Sequence, residues 1–196
     1  MMCRQLAVLP AVPGADAFVC HFHEAHQLPI RADGRQVLAA VAAMSGREDA
    51  VIRALIAVRE WPGRMRQRLG LGAGRRGAPF GLADFVPLGG DGSSWCAFGL
   101  AGRFWQADYG LVALDSAEAF FCHADPAVPR LVLLFQVHPA GPGQVLLTTE
   151  TGIHCPDPQA RRWMAAYWWL IRPASGWVRQ RLLRQIRRQA ECAAAG

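Results

Sequence analysis

The sequence predicts an α+β domain, a curved antiparallel sheet wrapped around a long C-terminal helix, with two short helices after the first strand. Three observations carry this. Apolar residues alternate at Phe18, Cys20 and Phe22; six strand-like segments follow one another between residues 85 and 153; and Cys155-Pro-Asp-Pro158 opens a helical stretch that runs almost to the last residue.

The first strand ends near Leu28-Pro29, and Asp33 caps a helix carrying Val37, Leu38, Val41 and Met44 at helical spacing. Ser45-Gly-Arg-Glu48 is a capping box for a second helix with Val51, Leu55 and Val58 inward, stopped by Pro62-Gly63. Gly63 to Pro79 is rich in Gly and Arg and reads as a connection. The strand candidates are Phe85 to Leu88, Trp95 to Leu100, Arg103 to Ala107, Ala117 to His123, Leu131 to His138 and Val145 to Ile153. The last two form a hairpin across Pro139 to Gly143, and the uninterrupted succession implies a meander-like sheet. Asp157 is a good N-cap and Pro158 fits a first turn, so a long helix follows, with a kink expected near Pro173 and Gly176. Beyond it Val178, Leu182, Leu183 and Ile186 form an apolar stripe. The chain reads as one domain over 1–196, with 1–15 a loose N-terminal segment.

Composition excludes some chemistry. All 21 cations are arginine, and there is no lysine and no asparagine, so a Schiff-base or P-loop lysine and N-glycosylation are ruled out. The net charge of +6 is uneven: 13 arginines lie in two clusters, at 64–76 and 161–188, and the remaining 8 face 15 acids. Basic character belongs to two segments and not to the body. Six scattered cysteines without a C-x-x-C pair read as free thiols, and with no leader visible a cytoplasmic location is expected. The longest apolar run, Trp163 to Ile171, has about half the length a membrane span needs.

Gly72 to Gly77 matches G-x-G-x-x-G but lacks the preceding strand and following helix of a dinucleotide fingerprint, so it reads as part of the connection. His21, His23 and His26 with Glu24 resemble a metal cluster, yet Glu24 points away from His21 and His23, which share a strand face; no metal and no cofactor are expected. Glu150, expected to face the helix, is a partner for Arg172 or for an arginine of the first cluster, or a pocket acid. Trp163, Trp168, Trp169 and Trp177 make the helix apolar on more than one face, as for a helix buried on several sides.

The order of elements is that of the helix-grip fold. Thr148-Thr-Glu-Thr-Gly152, Asp157-Pro-Gln-Ala-Arg-Arg162, Tyr167-Trp168, Ile171-Arg-Pro-Ala-Ser-Gly176 and the Arg-rich Leu182 to Glu191 resemble the end of an uncharacterised bacterial branch of the START-like, SRPBCC superfamily. The sequence departs from it at Gly152, where a cation is expected, and at Ala174, where a glycine is. The resemblance implies a cavity between sheet and helix for a hydrophobic small molecule, sometimes with cyclase or hydratase chemistry. The expected walls are Trp95, Phe98, Trp105, Phe121, Trp163, Tyr167 and Trp168, with Glu150 and Arg172 as polar groups. The expected state is a monomer or weak homodimer. Nucleic acid is not favoured as a partner; contact of the Arg-rich helix with an anionic membrane surface is the rival to the cavity.

Overall fold

The computed structural model describes residues 4–5, 18–44, 84–106 and 109–195. In chain order these form β1 (Arg4–Gln5), β2 (Val19–Cys20), β3 (Phe22–Ile30), α1 (Gly34–Met44), β4 (Val86–Gly90), β5 (Trp95–Gly102), β6 (Leu111–Val112), α2 (Ala117–Phe121), β7 (Arg130–Gly141), β8 (Gln144–His154) and α3 (Pro158–Ala195). Strands β3 to β8 make a curved, open, antiparallel six-stranded sheet in the order β3-β8-β7-β5-β4, with β6 on β5; β1 and β2 pair separately. The expected meander holds for β4, β5, β7 and β8, but β6 lies off that path on β5 and the first long strand joins the last one, so the sheet is not a simple meander.

Local chemistry accounts for the helix starts. The Asp33 carboxylate accepts the Gln36 amide at 2.8 Å while the Gln36 side chain accepts the Asp33 amide at 3.0 Å, a reciprocal cap. The Asp157 carboxylate accepts the Ala160 amide at 2.6 Å, and Pro158 occupies the first turn. Helix α3 runs as one element through Pro173, which lies on its exposed side, where a freed carbonyl meets water. Among the described residues no helix is long and apolar enough to cross a membrane.

Two segments differ from the strand expectation. Residues 117–121 form a helix because Ser116 accepts the Ala119 amide at 3.1 Å and caps a turn; Phe120 and Phe121 pack from a helix as readily as from a strand. Residues 103–106 turn back, with the Gln106 amide donating to the Arg103 carbonyl at 2.8 Å, so no strand begins at Arg103. The expected second helix after Ser45, the connection from Gly63 to Pro79 with its glycine motif, and the first arginine cluster lie outside the described residues.

The sheet is covered on both faces. On one, α1 and α3 pack against Ile30, Leu133, Phe135, Val137 and Leu147. On the other, Phe18, Phe120 and the short α2 cover Val86, Leu88, Ala97, Val132 and Leu134. Arg130 ties α2 down, donating to the carbonyls of Phe120 at 3.1 Å and Phe121 at 2.5 Å, as a cation at a helix end should. The edge strands β3 and β4 each contain a proline, Pro29 and Pro87, and β4 is bulged after Pro87.

Gly99 makes the outer packing feasible. A methyl there would lie 2.8 Å from the Phe120 ring and 2.9 Å from Leu88, both fully enclosed. Gly99→Ala is expected to cost about 1–3 kcal/mol through overpacking, read by urea or thermal unfolding, with part recovered by adding Phe120→Leu.

Candidate functional site

Alternation sends Phe22, Glu24, His26, Leu28 and Ile30 of β3 toward α3, and the β3–β8 register sets Glu24 opposite Thr151 and His26 opposite Thr149. The two ends of the helix–sheet interface are apolar. Near the helix start, Phe22, Ile153, Cys155, Ala160 and Met164 pack with Phe104; near its end, Leu183, Ile186 and Ala190 pack with α1. Between them lies a polar layer of Glu24, His26, Thr149 and Thr151, met by Gly176 and Arg179 of α3.

Each contact in this layer has a clear role. Arg179 donates from Nη1 to Thr151 Oγ1. The residue as a whole keeps some surface, but its guanidinium is enclosed, and loss of water pushes its pKa down to about 10 against the opposing pull of the Glu24 carboxylate. It stays charged at neutral pH. His26 Nε2 donates to Glu24 Oε1 at 3.0 Å. A methyl at Gly176 would sit 3.5 Å from Glu24 Oε1 and 3.6 Å from His26 Cε1, so the helix backbone passes directly over this pair. Two atoms in the layer, Glu24 Oε2 and Thr149 Oγ1, are buried with no hydrogen-bond partner among the described residues. Leaving such groups unpaired costs about 1–3 kcal/mol each.

A groove leads to the layer from the sheet edge. His26, Gln27 and Leu28 of β3 and Gln180, Leu183 and Arg184 of α3 enclose about 240 Å³. His26 belongs to both the groove and the polar layer, and the volume exceeds the roughly 150 Å³ that a benzene-sized ring fills. The site thus offers a half-open recess of mixed polar and apolar lining, one enclosed cation, an imidazole–carboxylate pair suited to moving a proton, and two unsatisfied buried oxygens.

No family model, curated protein or solved structure matches this chain. The site therefore stands on its own geometry.

The residues expected from sequence do not converge on one cavity. Trp105, Tyr167 and Trp168 do come together, around Phe22 and Ile153 at the helix start, and Phe98 lies on the same sheet face, edge-on to Phe135. Trp95 and Phe121 belong to the opposite face. Glu150 also faces away from the helix: its Oε2 lies 2.8 Å from His23 Nε2, and Arg172 is exposed, so the expected Glu150–Arg172 pair is not formed. Trp163 is 58% and Trp169 82% exposed, so α3 is buried along one side and not on several. The three histidines part company. His23 meets Glu150, His26 meets Glu24, and the chain bends at His21, whose Nδ1 accepts the Cys155 amide at 3.0 Å. The three rings thus have different partners, and among the described residues no three metal-ligating side chains cluster. The sequence singles out Glu24 and His26 only as members of a metal-like cluster and gives no role to Thr149, Thr151 or Arg179; polar residues in phase with Phe22 and Ile30, and with Leu147 and Ile153, are the available signal.

Two consequences are measurable. Arg179→Met leaves the Glu24 carboxylate enclosed without its cation, and a loss of about 2–3 kcal/mol is expected by denaturant unfolding; Glu24→Gln added to it recovers much of that loss. At the far end of β8, burial first and nearby cations second hold the His21 pKa below the usual 6.5. Burial likewise lowers His154, whose Nδ1 donates to the Val19 carbonyl at 2.8 Å. Both rings bind protons less readily in the folded than in the unfolded chain, so stability falls as pH drops through 6.5. The melting temperature should decline from pH 7.5 to pH 5, and less steeply in His21→Gln/His154→Gln.

Proposed function

We propose that this chain binds a small molecule with an apolar or aromatic body and a hydroxyl-like polar end between α3 and the sheet, in a helix-grip arrangement of START-like type. The observation that carries the reading is the pair of unsatisfied buried atoms, Glu24 Oε2 and Thr149 Oγ1, between two apolar clusters. A ligand hydroxyl donates to the carboxylate or the threonine oxygen and recovers the desolvation cost of burying these atoms. The enclosed Arg179 guanidinium lies within electrostatic reach of the Glu24 carboxylate, so a polar ligand end meets a charged environment there. Aromatic walls at the helix start, Trp105, Tyr167 and Trp168, extend the apolar surface beyond the polar layer.

Native mass spectrometry of the purified chain reads any co-purified molecule, and 2-naphthol against naphthalene probes the polar end. We expect 2-naphthol to bind at least about tenfold more tightly than naphthalene, because a site built to hydrogen-bond a hydroxyl rejects the analogue lacking it. Thr149→Val should weaken 2-naphthol binding while raising the melting temperature, since it removes an unpaired buried hydroxyl. Equal binding of the two probes, or no binding of either up to about 1 mM, overturns the reading.

A further inference from the structure

The outer side of α3 carries a second surface, independent of the polar layer. Trp163, Trp169, Leu170 and Trp177 all project into solvent along it, Leu170 at 71% exposure. Trp163, Leu170 and Trp177 recur every seven residues and so share one side of the helix, with Trp169 about 100° round from Leu170, and large apolar side chains exposed in this number on one helix are uncommon on a surface that meets only water. The same side continues as Arg181 and Arg188, and Arg181 lies 5.8 Å over the Trp177 ring. Arg162 and Arg172, also exposed, flank the apolar part. Between Pro158 and Ala190 the helix bears eight arginines and no acid. Glu191, the first acid after them, pairs with Arg187 at 3.0 Å and with the Arg31 amide at 3.1 Å.

We infer that this face docks on an anionic lipid bilayer surface, with the indoles and Leu170 at the level of the headgroups and the arginines on lipid phosphates. Indole prefers that interface because it presents an apolar body and one polar N–H. Guanidinium suits phosphate because its planar fork donates two parallel hydrogen bonds. A second copy of the chain fits less well: a parallel pair of such helices brings arginine rows together, and an antiparallel pair sets the arginines of each copy on the apolar part of the other, in both cases with no acid on this face to neutralise them. A duplex nucleic acid would use the arginines but offers nothing to Leu170.

Sedimentation of the full chain with phosphatidylcholine vesicles, with and without about 30% phosphatidylserine, tests this. Expected are binding at ~0.1 M salt to the mixed vesicles, at least about tenfold weaker binding to phosphatidylcholine alone, and weakening at ~0.5 M salt. Tryptophan emission should shift to the blue on binding. Trp169→Ser/Leu170→Ser and Arg162→Gln/Arg188→Gln should each lower binding at least about tenfold, with melting temperatures unchanged because all four side chains are exposed. The inference falls if mixed vesicles do not bind, or if neither double variant matters. It falls equally if a single-stranded oligonucleotide competes the vesicles away, or if light scattering shows a dimer that Trp169→Ser/Leu170→Ser dissociates.

Discussion

The pairing of β3 with β8 is the constraint on which the rest of the structure depends. Nine consecutive residue pairs, from Phe22–Ile153 to Ile30–Val145, join segments more than a hundred residues apart. Such a contact repays its loop-closure entropy only when the whole ladder forms with its side chains in phase. Its register sets Glu24 against Thr151 and His26 against Thr149, and a slip of β3 by one residue would turn Glu24 and His26 to the opposite face, away from the two threonines. The same pairing gives α1, which follows β3, a place against the last turns of α3.

A polar layer between two apolar clusters is a poor way to gain stability. Enclosing Arg179 and Glu24 removes water from two charges, and apolar residues of similar volume commonly serve folding as well or better. The layer also leaves two acceptors unpaired. Buried polar groups kept at such a cost are what a binding site requires, and the groove that reaches His26 from the sheet edge supplies the route. Opposite, the sheet is closed by aliphatic and phenylalanine packing around Gly99, where shape alone decides.

The parts legible in the sequence were those specified by local chemistry. Asp157-Pro158 marks a helix start because a cap and a proline act within one turn, and Pro139 to Gly143 marks a hairpin for the same reason. The strand phase of β8 was not legible. Leu146, Thr148 and Glu150 alternate as plausibly as Leu147, Thr149 and Thr151, and only pairing with β3 and β7 decides which set turns inward. Hence Glu150 was assigned to the wrong face, and the site residues beside it were missed. The tryptophans of α3 misled differently: hydrophobicity around a helix does not say how many faces a sheet is available to cover.

The prolines of the two edge strands have a consequence for the chain in a crowded solution. An open sheet ends in rows of backbone donors and acceptors that invite a strand from a neighbouring molecule. Pro29 removes one donor from β3, and Pro87 removes another from β4, where the following bulge turns the edge out of line. Each end of the sheet is thereby a poor template for strand addition, so the sheet can stay open without growing from molecule to molecule.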